Sequence, residues 1–128
     1  SLVDILVVAR DFAVQLSGSE DHEDQLAALM ESGALVAGIT DGERGSRFLT
    51  GDGEQFHQPA FPADPLVDTT GCGDVFHGAF LAEAARGENW RSCARFASAA
   101  AALSATRLGG RGRLAQRTEV ERFAGRAG

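Results

Sequence analysis

A glycine turn between a short apolar segment and a long apolar helix constrains this chain more than any other feature of its sequence. The turn reads Asp68-Thr69-Thr70-Gly71-Cys72-Gly73-Asp74; Pro65 to Val67 precedes it, and Val75 to Arg86 follows it with helical spacing. The pattern predicts a strand end, a tight turn and a helix that begins at Asp74. Small residues at 71–73 let main-chain N–H groups approach an anion, and the helix N-terminus adds partial positive charge.

A carboxylate, Asp74, stands where this helix begins. Anion-binding amides beside a carboxylate are typical of sites for phosphoryl transfer. In this chain the amides of Gly71, Cys72 and Gly73 would hold the charge of the phosphate. The carboxylate would accept a hydroxyl proton. Two other interpretations stay open: Asp74 only caps the helix, and the glycines only form a turn. The motif lacks the third glycine of a dinucleotide fingerprint and the lysine of a P-loop, which excludes both of those sites.

Composition narrows the class of protein. The 128 residues correspond to one ordinary domain, and 44% are apolar, which is enough for a core. The net charge is −6 and the arginines are scattered, so nucleic acid is not expected as a partner. The longest apolar run, Ala97 to Ala105, is too short to span a bilayer, so no membrane partner is expected. Cys72 and Cys93 have no metal-ligand spacing, and we expect free thiols in the cytoplasm.

Predicted strands alternate with predicted helices, which indicates an α/β architecture with a parallel sheet. In such sheets ligands bind beyond the carboxyl ends of the strands, and both glycine motifs of this chain fall at such ends. The predicted elements are strands at Leu2–Val8 and Ala34–Ile39, a hairpin of Ser46–Thr50 and Glu54–His57, and helices at Asp11–Leu16, 19–32, 74–87, from Asn89 onwards and Thr118–Phe123.

The second glycine motif, Thr40-Asp41-Gly42-Glu43-Arg44-Gly45, directly follows the second predicted strand. The Thr40 hydroxyl and the Gly42 amide are suited to the phosphates or ribose of a nucleotide. Taken alone, this signal is weak, because glycines between strands usually only turn the chain. Together with the later turn, this motif predicts a second part of one nucleotide site.

Two further positions have both a functional and a structural interpretation. Asp68 either forms a turn or binds a cation near the phosphates. Ser98, with Ala99 and Ala102, either lines a slot for adenine or belongs to ordinary helix packing. The sequence leaves both pairs of alternatives open.

The stretch Asp68 to Phe80 resembles the C-terminal signature of the ribokinase-like, or PfkB-type, carbohydrate kinases, because it joins Gly-x-Gly-Asp to Phe-x-Gly-Ala. Thr40-x-Gly42-x-x-Gly45 is similar to the family's upstream nucleotide element, and Arg95 to Gly110 to its Ala-rich helix and closing loop. The resemblance covers nearly all of the chain but only the second half of a family member. It implies a ribokinase-like three-layer α/β/α fold with a mainly parallel sheet, in which residues 1–128 are the nucleotide-binding and catalytic part.

The resemblance also implies roles for single residues. Asp74 would be the general base that deprotonates a sugar hydroxyl, and the amides of Gly71, Cys72 and Gly73 would form the anion hole for the transferred γ-phosphate. Thr40, Gly42 and Gly45 would contact ATP, and Ser98 and Ala102 would lie near its adenine. A monovalent cation such as K⁺ would be bound by Asp68 and by the carbonyls of Thr70, Ala105, Leu108 and Gly110.

The implied reaction uses ATP, Mg²⁺ and a sugar or sugar-like small molecule, and the full-length protein would be able to form a homodimer. This sequence departs from the family at Ala9 and Phe12, where an Asn-x-x-Glu element is common near the phosphates. The family's N-terminal half, which supplies most sugar contacts, is absent, so we expect the isolated fragment to be inactive. Two other hypotheses stay open: a nucleotide-binding module or relic without catalysis, and a small α/β interaction domain without a ligand.

Overall fold

The computed structural model describes residues 4–69, 71–107 and 116–127, which divide into a unit with a sheet and a helical unit. The first unit spans residues 1–57 and the second 58–128. In chain order the elements are β1 (Ile5–Ala9), α1 (Arg10–Ser17), α2 (His22–Met30), β2 (Val36–Thr40), a 3₁₀ turn (Gly42–Arg44), β3 (Ser46–Thr50), β4 (Gln55–Gln58), α3 (Cys72–Ala85), α4 (Trp90–Ala105) and α5 (Arg117–Ala127).

The four strands form one sheet in the order β1-β2-β3-β4. The apolar runs predicted as buried strands are β1 and β2, which pair in parallel with Ala9 opposite Thr40. β2 pairs with β3 in the antiparallel direction, and β3 begins the predicted hairpin. Because β1 and β2 are parallel and in register, the residues that follow them leave the sheet at the same edge.

Two helices cover the sheet of the first unit; α1 ends next to Gly18, as predicted, whereas α2 spans His22–Met30 and is shorter at both ends than the predicted helix at 19–32. Gly18, in a left-handed conformation, ends α1, and the Asp21 side chain caps α2 by accepting from the Glu23 N–H. Apolar residues of both helices and of β2 form the core between helices and strands. Its buried members are Ala13, Leu26, Leu29, Ala37 and Ile39, with Leu6, Val8, Met30 and Leu49 partly buried against them.

A glycine in the middle of β2 makes room for an aromatic ring of β3. Gly38 pairs with Phe48, and a Cβ atom at Gly38 would lie 2.4 Å from the Phe48 ring. Phe48 is fully buried and stacks on Phe56 of β4 with ring centroids 5.0 Å apart. The absence of a side chain at Gly38 therefore lets the hairpin close over the sheet.

The second unit consists of three helices in its described part. α3 and α4 pack together through Phe80, which is fully buried and stacks on Trp90 with ring centroids 6.1 Å apart. Asn89 caps α4, as predicted, because its Oδ1 accepts from the Ser92 N–H at 2.8 Å. α5 confirms the predicted final helix and is longer than predicted. The predicted loop at residues 109–112 lies outside the described residues.

A buried carboxylate joins α3 to α5. Glu83 is only 3% exposed and forms an ion pair with Arg117, whose guanidinium also lies 5.3 Å from the centroid of the Phe96 ring. Such a pair fixes the two helices relative to each other, since removing one partner would leave a buried charge uncompensated.

None of the helices in the described ranges has the length and apolar character that a membrane crossing requires.

Candidate active site

The predicted glycine turn is the start of α3. Gly71 adopts a left-handed conformation, with φ of 79°, that favours glycine, and it is the N-terminal cap residue of the helix. The helix begins at Cys72, two residues earlier than predicted, because the glycine reverses the chain in a single step. Asp74 is consequently the third helical residue rather than the first.

This helix start presents main-chain donors that have no partner within the helix. An α-helix leaves its first four N–H groups without partners inside the helix, and here they belong to Gly71, Cys72, Gly73 and Asp74. The first bond within the helix joins the Val75 N–H to the Gly71 carbonyl at 3.0 Å. Apart from its chain neighbours and its own helix backbone, no atom of the described residues lies within 4 Å of the place that a Cβ at Gly73 would take. The turn thus has the donors and the space that an anion requires.

One of the three predicted donors is already engaged. The Cys72 N–H donates to the Thr69 carbonyl at 3.2 Å, which closes the turn. An anion at this helix start would therefore share or displace the Cys72 donor. The N–H groups of Gly71 and Gly73 are the better candidates for direct contact.

The side chains of Cys72 and Asp74 point to different roles. Cys72 is half-buried, its Sγ lies 3.5 Å from the Ala101 carbonyl of α4, and burial raises the pKa of its thiol. It is a protonated packing residue rather than a nucleophile. Asp74 is exposed in the first turn, where a negative charge is favourable. This position suits a proton acceptor as well as a carboxylate that only stabilises the helix.

The segment before the turn is attached to the end of α4. The N–H groups of Val67 and Asp68 donate to the Ala105 carbonyl at 2.8 and 3.0 Å. That oxygen, one of the predicted K⁺ ligands, would have to release a donor before it could bind a cation. Three other predicted ligands, Thr70, Leu108 and Gly110, lie outside the described residues, so the K⁺ site stays a prediction.

The predicted adenine contacts lie on α4. Ser98 and Ala102 are one helical turn apart, and both are buried, with 7% and 8% of their surface exposed. Their burial fits ordinary helix packing, since only the edges of these residues are accessible to a flat ligand. An adenine contact at these positions stays a prediction.

The second glycine motif forms one short loop in the first unit. Thr40 is the last residue of β2, and its Oγ1 lies 3.5 Å from the Val8 carbonyl. The Asp41 N–H donates to the Gly45 carbonyl at 2.9 Å and closes the loop around the 3₁₀ turn. The loop brings Thr40, Gly42 and Gly45 together. It belongs to a different unit from the start of α3, and its predicted part in the same nucleotide site stays a prediction.

Charged residues next to this loop were missed by the sequence analysis. Arg10 Nη2 lies 3.1 Å from Glu20 Oε1, and Arg10 Nε lies 3.8 Å from Asp41 Oδ2. Arg44 Nη1 lies 3.8 Å from the same Asp41 oxygen. Arg10 directly follows β1, and Asp41 directly follows β2. Because these two strands are parallel neighbours, the positions of the two residues after them are the sequence signal that could have predicted this contact.

Two cavities in the second unit, of about 240 and 180 Å³, lie among α3, α4 and α5 around Glu83 and Arg117. Within the described part of the chain, Ala99 of the predicted adenine slot borders the smaller cavity, and Asp74, Ser98 and Ala102 border neither. Across the described ranges, no three His, Cys, Asp or Glu side chains are grouped as metal ligands.

Comparisons with known proteins agree on one family. The model of the pfkB family carbohydrate kinases matches residues 1–117. The ribokinase of Bacillus subtilis is 43% identical over 83 residues, which are 65% of this chain and 28% of that protein. The cytidine kinase of Thermococcus kodakarensis is 38% identical over 97 residues, 74% of this chain and 34% of that protein. The chain thus spans about a third of the length of these relatives.

The solved structures support the same assignment. A candidate ribokinase II from E. coli, solved with ATP and Mg²⁺, matches with a TM-score of 0.86 and 30% identity over 96% of this chain and 39% of that chain. This likeness confirms the predicted ribokinase-like α/β fold. Because the family model covers nearly the whole sequence and the structural likeness extends just as far, this chain belongs to the pfkB family of carbohydrate kinases.

Proposed function

We propose that this chain is the ATP-binding and catalytic part of a kinase that transfers the γ-phosphate of ATP to a hydroxyl group of a sugar or nucleoside. The observation that carries the proposal is the start of α3, where open main-chain donors stand beside the exposed Asp74 carboxylate. The relatives support it, since they include a ribokinase and a cytidine kinase. The related E. coli structure with ATP and Mg²⁺ supports the cofactors.

In this reaction Asp74 takes the proton of the substrate hydroxyl as its oxygen attacks the γ-phosphorus. The N–H groups of Gly71 and Gly73, with that of Cys72 where it is released from Thr69, hold the charge on the phosphate. Each such donor is worth roughly 2.7–4 kcal/mol in comparable anion holes. The products are ADP and a phosphorylated alcohol, and the proton remains on the Asp74 carboxyl until solvent removes it.

The other residues hold the nucleotide and its cations. We assign Thr40, Gly42 and Gly45 to contacts with ATP, Ser98 and Ala102 to the edge of the adenine, and Asp68 with the Thr70 carbonyl to a monovalent cation. Mg²⁺ usually binds through one or two carboxylates and the phosphates of the substrate rather than in an all-protein cage. Mg²⁺ bound in that way would neutralise phosphate charge during transfer.

The chain alone would bind nucleotide without turnover. It spans about a third of the length of its relatives, so the contacts that select the sugar or nucleoside would come from the remaining part of a complete kinase. We also place in that part any surface that makes the protein a homodimer.

A second candidate function is a nucleotide-binding module without catalysis. The residues that favour it are Ala9 and Phe12, which stand where the family often has an asparagine and a glutamate near the phosphates. If Mg²⁺ is poorly placed for this reason, ATP binds and no phosphate is transferred.

A transfer assay distinguishes these functions. The complete protein that contains this segment is incubated with γ-labelled ATP, Mg²⁺ and a panel of pentoses, hexoses and nucleosides. We expect label on one class of acceptor and none in its absence. Binding of ATP with no labelled product across the panel would favour the module without catalysis, and the absence of ATP binding would contradict both functions.

A further inference from the structure

We propose that Arg10 binds the phosphate chain of the nucleotide that the Thr40–Gly45 loop contacts. This inference rests on the proposed function and adds a residue that the sequence motifs do not contain. In this role the Arg10 guanidinium donates hydrogen bonds directly to phosphate oxygens.

The sheet places Arg10 at the correct edge for this role. β1 and β2 are parallel with Ala9 opposite Thr40, so Arg10 and the loop begin side by side. Ligands of open α/β sheets bind outside the carboxyl ends of such strands. The 3.8 Å separation of Arg10 Nε from Asp41 Oδ2 shows that the guanidinium reaches the loop itself.

The described residues of the protein do not satisfy all the N–H donors of the Arg10 guanidinium. Its Nε is buried and has no hydrogen-bond partner among the described residues, because the Asp41 oxygen at 3.8 Å is too distant for a hydrogen bond. Its other partner, Glu20, has a side chain that is 77% exposed, and exposed ion pairs of this kind are weak. Since a guanidinium has five N–H donors, Arg10 retains donors for a phosphate group.

The charge of Arg10 is not explained by helix stability. Arg10 is the first residue of α1, where the helix dipole disfavours a positive charge. The pKa of His22 is lowered first by burial and then by Arg47 and Arg10, although Asp41 and Asp21 act in the opposite direction. Arg10 therefore acts electrostatically on a neighbouring group, and its charge at this edge would attract a polyphosphate in the same way.

Nucleotide titrations of the full chain test this role. Wild type, Arg10→Gln, Arg10→Lys and the control Arg122→Gln, an exposed arginine of α5, are titrated by calorimetry with ATP·Mg²⁺, ADP·Mg²⁺ and adenosine. We expect Arg10→Gln to weaken ATP binding by roughly tenfold or more, as for the loss of a charge-assisted hydrogen bond, and to leave adenosine binding unchanged. Arg10→Lys keeps the charge and should retain part of the affinity, and Arg122→Gln should behave as wild type.

Two results would overturn the proposal. ATP affinity of Arg10→Gln equal to that of wild type would remove Arg10 from the site. An equal loss for ATP and adenosine would show that the residue is structural. If the wild-type chain binds no nucleotide at all, the proposed function itself is contradicted. This result differs from a failure of the Arg10 proposal, in which the wild type and Arg10→Gln bind ATP equally well.

Discussion

Asp74→Asn is expected to lower kcat of the complete kinase by about 10²–10⁴-fold, because the amide has the shape of the carboxylate but cannot accept the hydroxyl proton. The helix start and its N–H groups remain, so the KM for ATP should change little. Steady-state kinetics with the acceptor found in the transfer assay measures both quantities.

The matched control for this prediction is Glu88→Gln, which makes the same chemical change at an exposed residue beyond the other end of α3. It should leave kcat unchanged. Turnover of Asp74→Asn within a few-fold of wild type would leave Asp74 with no catalytic role and return it to the interpretation of a helix cap.

Phe80→Ala is expected to destabilise the chain by about 3–5 kcal/mol, the usual cost of removing a large buried aromatic side chain. Phe80 is fully buried between Phe76 and Trp90, with ring centroids 6.3 and 6.1 Å away, so its loss opens a cavity between α3 and α4. Denaturant unfolding followed by circular dichroism measures the change in the free energy of unfolding.

The neighbouring residue provides the control. Leu81 is 40% exposed on the same helix, and Leu81→Ala should change the free energy of unfolding by much less than Phe80→Ala. Equal effects of the two substitutions would mean that the α3–α4 contact does not hold the helix that carries Asp74.

The elements around the candidate site were predictable because their signals are local. The apolar runs of β1 and β2, the cap at Asn89 and the glycine after α1 are each determined by a few neighbouring residues. The glycine turn at residues 71–73 identified the helix start in the same way. The first residue of α3 was misplaced, since the left-handed Gly71 begins the helix two residues earlier.

The features that the sequence did not reveal depend on residues that are distant along the chain. Glu83 is an acid on a largely apolar helix, and nothing near it in sequence indicates that it pairs with Arg117, 34 residues later. The close approach of Phe48 to Gly38 requires the register of β2 and β3. The contact of Arg10 with Asp41 requires the pairing of two parallel strands. Each of these becomes visible only when the fold brings the partners together.

The most direct test of the central claim is an NMR titration of the ¹⁵N-labelled chain with ATP·Mg²⁺, followed at the amides of Gly71, Gly73 and Asp74. If the start of α3 binds the phosphate to be transferred, these amide signals shift together and saturate with ATP, and adenosine leaves them in place. Signals that stay unchanged at saturating ATP·Mg²⁺ would contradict the claim that this helix start is the phosphate site of a kinase.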